Sequence, residues 1–127
     1  MEQFTSNRGG VISVGNNVGI SSGVLWVRNR LTIGDNVKIG ALTVIMDNDA
    51  HSLNWQERSH QPEIKTNVKS APITIEDDVL IGTSCLIMKG VTIGARSVIG
   101  AGSVVTHDIP ADCVAAGNPC KVIRSLV

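Results

Sequence analysis

The chain has 127 residues, zero formal net charge and 43% hydrophobic residues, with one Phe, two Trp and no Tyr. That length is one domain's worth, 1–127, with a small core and much surface, and a neutral chain does not suit a polyanionic partner such as nucleic acid. No apolar run approaches the roughly 20 residues of a membrane span, and Met1–Thr5 lacks the basic and apolar parts of a signal peptide, so the cytoplasm is the expected compartment, with no membrane insertion.

The apolar content is Val, Ile and Leu, and it recurs in steps of six. Val14, Ile20 and Trp26 open the series, with Val18 and Val24 between them. One residue is inserted between Trp26 and Ile33, which a β-bulge or widened corner would absorb. Ile33-Gly34-Asp35-Asn36-Val37-Lys38 and Ile39-Gly40-Ala41-Leu42-Thr43-Val44 are two full units, and Ile45 begins a third. The rhythm then breaks from Met46 to Pro72. This stretch is polar and carries Asp47, Asp49, His51, Trp55, Arg58 and His60. A loop of over twenty residues inside a compact repeat is uncommon and usually functional or disordered. It is read as an arm extruded from the third side of the second coil.

The step resumes at Ile75 and continues through Ile81, Ile87, Ile93, Ile99 and Val105. Gly follows directly at 82, 94 and 100, and four residues after each aliphatic stands Val79, Cys85, Val91, Ser97, Ser103 or Ile109. After Ile109-Pro110 the step is lost, and the tail with Lys121 and Arg124 is read as a short cap crossing the last coil. A six-residue unit is a short strand plus a tight corner, and three units close one triangular coil. The aliphatics point inward and stack at about 4.8 Å, bonded as a parallel sheet. Glycine or Asn-Val corners turn the chain where a side chain would clash or φ must be positive. Units from Val14, Ile33, Ile75 and Ile93 give four coils. An α/β sheet is excluded because glycines fall too often for helix and no helical period appears. The expected fold is all-β, a parallel β-helix. Cys85, Cys113 and Cys120 are odd in number and form no C-x-x-C pair, so neither a disulfide framework nor a metal site is expected.

The run Ile93-Gly94-Ala95-Arg96-Ser97-Val98-Ile99-Gly100-Ala101-Gly102-Ser103-Val104-Val105-Thr106, then Ile109-Pro110, Ala116-Gly117-Asn118-Pro119 and Lys121-Val122-Ile123, resembles the hexapeptide-repeat acyltransferases. The likeness is to the galactoside, maltose and polysaccharide O-acetyltransferase branch, over about Val14 to Leu126. It implies a left-handed helix, a homotrimer with active sites between subunits, acetyl-CoA as acyl donor, and a saccharide or other small-molecule acceptor.

The resemblance also implies roles. His51 aligns with the family's general base. The chemistry agrees, since a thioester is already activated and the main task is removing the acceptor's proton, which neutral imidazole performs near pH 7. Asp49 and Asp47 are candidates to orient His51 or bind the acceptor, and Trp55 and Arg58 to wall its pocket. Thr83, Ala101, Thr106 and His107 align with a CoA groove, and Lys121 and Arg124 with its phosphate end. Ser52 stands where the family often has Pro, His107 where relatives commonly have Lys, and Leu80 where several have Trp. Two other readings share the fold. A γ-class carbonic anhydrase-like zinc enzyme needs two histidines five apart, and His51, His60 and His107 supply no such pair. A non-catalytic scaffold subunit leaves the arm and His51 without a purpose.

Overall fold

The computed structural model describes residues 2–5, 9–60 and 67–127; arm residues 61–66 lie outside it. Short strands follow one another around a triangular prism. Coil 1 holds β2 (Val11–Val14), β3 (Gly19–Ile20) and β4 (Gly23–Trp26). Coil 2 holds β5 (Arg30–Ile33), β6 (Lys38–Ile39) and β7 (Thr43–Met46). Coil 3 holds β8 (Ile73–Ile75), β9 (Leu80–Ile81) and β10 (Leu86–Ile87). Coil 4 holds β11 (Thr92–Ile93), β12 (Val98–Ile99) and β13 (Val104–Val105). β1 (Glu2–Thr5) pairs antiparallel with β2.

Like sides of successive coils pair in parallel and make three sheets. The first is β1-β2-β5-β8-β11, the second begins β3-β6-β9-β12, and the third is β4-β7-β10-β13. The expected four coils are present, and the fold is a parallel β-helix. The register stacks the aliphatics in columns: Ile33 on Ile75 on Ile93, Ile39 on Ile81 on Ile99, and Ile45 on Ile87 on Val105. All nine are buried. At about 1.5–3 kcal/mol per buried side chain, these columns are the main favourable term of so thin a core.

Two corner devices that the sequence reading joined are separate in the structure. The glycines that directly follow Ile33, Ile39, Ile81, Ile93 and Ile99 serve close approach. A Cβ on Gly82 would lie 2.7 Å from the backbone nitrogen of Ala101 in the next coil. Positive φ falls instead two residues further on, at Asn36, Ser84, Arg96 and Gly102, or three residues after Ile75 at Asp78. Asn17 and Asn36 occupy stacked corners of this kind and bond side chain to side chain at 2.9 Å.

Coil 1 departs from the simple count. Ile20 pairs with Ile39, but Leu25 pairs with Ile45 and Trp26 with Met46. Leu25 therefore takes the inward position and packs on the core, while Trp26, expected inward, is 40% exposed. The chain is one residue short between Ile20 and Leu25 and two long between Leu25 and Ile33. The corner at Val27–Asn29 is widened as expected, but by more than the single residue counted.

The tail forms a partial fifth turn. Ile109 bridges in parallel to Ile93, and β14 (Cys113–Gly117) pairs in parallel with β12, setting Ala115 on Ile99. β15 (Cys120–Ser125) then folds back antiparallel on β14. The cap is a hairpin lying along the second sheet rather than a segment crossing the coil. Arg96 clasps Asp112 below it at 2.6 and 3.0 Å, and that hydrogen-bonded guanidinium holds the Asp112 carboxyl below its ordinary value. Among the described residues no helix is long and apolar enough to cross a membrane.

Candidate functional site

The arm leaves after β7 and returns before β8, as the break in the six-step predicts. Its root is a short antiparallel stem. Asp49 N–H donates to Lys69 O (3.0 Å), Ala71 N–H donates to Asp47 O (2.9 Å), and Asn48 bridges to Ser70. Asp47 is fully buried. Its carboxylate accepts backbone N–H groups from Arg28 (2.8 Å), Asn29 (2.7 Å) and Arg30 (2.9 Å), plus the Asn48 amide (3.1 Å). Those three amides belong to the widened corner after Trp26. Asp47, expected as an acceptor ligand or a partner of His51, is thus occupied in fastening the arm's root to coil 1. A carboxylate so employed replaces the corner's missing backbone partners.

Beyond the stem, three residues aim His51. The Asn48 side chain accepts from Ala50 N–H at 2.9 Å, and His51 N–H donates to Asp49 O at 2.6 Å. Ala50 between them has φ 65°, so the chain makes a tight, sterically costly γ-turn. The turn leaves His51 exposed. Asp49 is mostly buried and pairs with Lys89 Nζ at 2.7 Å. Its other oxygen is buried and has no hydrogen-bond partner among the described residues.

Past His51, α1 (Trp55–Arg58) forms a single turn capped by the Asn54 side chain. Arg58 donates to Ser52 O (3.0 Å) and Leu53 O (3.4 Å), and Ser52 Oγ donates to Glu57 (2.7 Å). These bonds close the arm's turn on itself. Trp55 is 66% exposed. His60 is held to its own turn through Nδ1 and Gln56 O at 2.6 Å.

The candidate CoA residues fall into separate groups. Thr83 and Ala101 occupy the same corner of coils 3 and 4, between the second and third sheets, with Gly102 N–H donating to Thr83 O at 2.9 Å. Both are exposed. Gly82 and Thr83 also border an open groove on the second sheet's outer face, with Ile20, Lys38 and Leu80. Thr106 and His107 lie at the next corner, after β13, joined by a 3.0 Å hydrogen bond. The arm root and Lys89 share that corner, because Asp47, Lys89 and His107 each follow the paired residue of their strand by two. Lys121 and Arg124 lie exposed on β15, and neither forms an ion pair among the described residues. One protomer therefore carries the arm histidine on one prism edge and the Thr83–Ala101 corner on another, with the third sheet between them.

Sequence reasoning missed Lys89 and Asn48. Lys89 sits inside the regular repeat, where only its alignment one coil from the arm's exit marks it.

Among families of known proteins, the hexapeptide repeat of succinyl-transferase matches residues 72–107. Galactoside O-acetyltransferase of Escherichia coli K12 is 43% identical over 116 residues, which are 90% of this chain and 57% of that protein. A hexapeptide-repeat acetyltransferase from Vibrio cholerae, solved with acetyl coenzyme A, superposes with a TM-score of 0.81 at 41% identity, covering 91% of this chain and 61% of that one. Galactoside acetyltransferase in complex with coenzyme A superposes with a TM-score of 0.77 at 41% identity, covering 91% and 56%. These neighbours are left-handed β-helix acetyltransferases, and the chain shares their fold. It spans little more than half the length of the relatives it matches.

Proposed function

We propose that the chain, which carries the hexapeptide repeat and shares the fold of hexapeptide-repeat acetyltransferases, is an acyltransferase of that family that moves an acetyl group from acetyl-CoA to a hydroxyl of a sugar or polysaccharide unit, with His51 as general base. The observation that carries this reading is the strained turn at Asn48–His51, which exposes one imidazole at the root of an anchored arm.

The residues fit the donor. The Thr83–Ala101 corner is open, and a Cβ at neighbouring Gly102 would meet nothing within 4 Å. Short side chains there let a pantetheine arm approach the backbone. Lys121 and Arg124, which form no ion pair among the described residues, are cations suited to phosphates. Acetyl-CoA supplies an activated thioester carbonyl. His51 takes the proton of the acceptor hydroxyl as its oxygen bonds to that carbonyl carbon, and it returns the proton to the departing thiolate. Exposed Trp55 supports a role in walling the acceptor side, and the arm's self-bonded Arg58 gives that wall its shape.

The edges carrying His51 and Thr83–Ala101 flank the third sheet, whose outer face exposes Val24, Trp26 and Leu86. An apolar face of this kind suits a subunit interface. We take the assembly to be a homotrimer in which one copy's arm meets a neighbour's corner.

The test is an acceptor screen that follows thiol release from acetyl-CoA, beginning with galactosides and maltose. With the acceptor found, His51→Ala is expected to lower kcat by ~10²–10⁴ with little change in acetyl-CoA affinity. Near-normal kcat in that variant removes His51 from the mechanism.

A further inference from the structure

We propose that Lys89 is a positioning residue for His51, acting through Asp49 across one coil of the helix; the inference rests on the reading of His51 as base. Lys89 projects from the corner after β10, one coil from the arm's exit. That corner is itself pinned to the arm, since Gly90 N–H donates to Ala71 O at 3.2 Å. The ammonium meets Asp49 Oδ1 at 2.7 Å, and the Asp49 side chain is 12% exposed against 36% for Lys89.

The second oxygen of Asp49 is buried without a partner among the described residues, and among them Lys89 is the side chain that compensates this carboxylate. A buried carboxylate that loses its counter-charge is strongly disfavoured where it stands and moves toward water. Asp49 cannot move alone. Its carbonyl accepts the His51 N–H at 2.6 Å, and Ala50 between them is held at φ 65° by the Asn48 side chain. A conformation this unfavourable persists only where its surroundings over-determine it. The ion pair fixes the first residue of the turn, the Asn48 amide fixes the second, and the imidazole direction follows.

Displacement of a reacting group by about 1 Å costs on the order of 10²-fold in rate. Lys89→Met is therefore expected to lower kcat by ~10–100-fold, with the KM values of acetyl-CoA and acceptor within about twofold of wild type. Lys89→Arg, which keeps the charge, should recover most of the loss. In a His51→Ala background, Lys89→Met should change kcat by less than about twofold, because a residue that works only through His51 has nothing left to position. A purely structural lysine would lower kcat in both backgrounds.

A readout independent of acceptor is amide hydrogen exchange on the full chain. Lys89→Met should speed exchange at 48–51 and leave β10 protected. A Lys89→Met enzyme with wild-type kcat and unchanged exchange at 48–51, beside an inactive His51→Ala enzyme, overturns this inference and leaves the base assignment standing. A raised acceptor KM with kcat unchanged overturns it in favour of direct acceptor binding by Lys89. Near-normal kcat in His51→Ala overturns the base assignment, and this inference with it.

Discussion

At the scale of single residues, the corners of the helix divide their work between two kinds of position. Gly94 shows the first. A Cβ there would lie 2.7 Å from both the Pro110 carbonyl carbon and Ala111 Cα, and closer still to the Ala111 nitrogen. The neighbour is backbone, already bonded through Gly94 N–H to Ile109 O at 2.8 Å, so it has nowhere to yield. Gly94→Ala should destabilise the protein by about 1–3 kcal/mol, the usual range for overpacking. Urea unfolding at fixed protein concentration measures this, and unchanged stability would mean the stack separates more easily than its ladder suggests. Asn36 shows the second kind. Its left-handed φ of 58° and its bond from Asn17 explain the Asn-Val corner in the sequence, a residue that tolerates αL being also one that bonds along the column. The sequence reading named both reasons for a corner, a clash or a positive φ, without dividing them between the two residue types.

At the scale of the element, the arm is a rooted structure more than a plain loop. Asp47 carries that root, since its buried carboxylate is the acceptor for three consecutive backbone N–H groups. Asp47→Ala leaves Arg28, Asn29 and Arg30 amides unsatisfied in a partly buried corner. A loss of about 3 kcal/mol or more is expected, at roughly 1–3 kcal/mol per stranded group. Asp47→Asn should cost less, because one amide oxygen still accepts. Thermal unfolding of both variants at equal concentration checks the order, and equal stability of Asp47→Ala and wild type would make the root dispensable. This element also shows what the sequence could convey. The arm's limits were legible because a six-step either continues or breaks. So was the place of His51 within the arm, while its role as base is an expectation from the family position it aligns with. The duty of Asp47 was not, because its partners lie 17 to 19 residues earlier at a corner whose irregularity is itself hard to count. There the six-step favoured Trp26 as the inward residue, and only pairing with β7 shows that the chain arrives one residue early and turns Leu25 inward. Lys89 was invisible for a related reason, since an ion pair between an insertion and the next coil leaves no period in the sequence.

At the scale of the whole molecule, the prism is too thin to bury all its apolar side chains. Val24, Trp26 and Leu86 on the third sheet, and Ile20 and Leu80 on the second, remain exposed in one protomer. The edges that flank the third sheet carry the two halves of the proposed site. The proposed homotrimer answers both facts, and dilute light scattering should give about three times the 13.4 kDa chain mass. Mass alone does not show that sites are shared, but subunit mixing does. His51→Ala removes the base from one edge. Ala101→Trp fills the exposed corner on the other, where a large side chain meets solvent rather than core. Each variant alone should be nearly inactive. Co-expressed, they should form mixed trimers in which the intact edge of one subunit faces the intact edge of another. Activity should return to a sizeable fraction of wild type, up to about a quarter if subunits mix at random and any wild-type pairing of edges is fully active. That figure follows because a given interface has a one-half chance of an intact arm on one side and a one-half chance of an intact corner on the other, the general arithmetic of a closed ring of identical contacts. If trimers mix, as tagged capture of both variants together would establish, and activity stays at the level of the separate variants, then both halves of the site belong to one chain and the arm must reach its own Thr83–Ala101 corner.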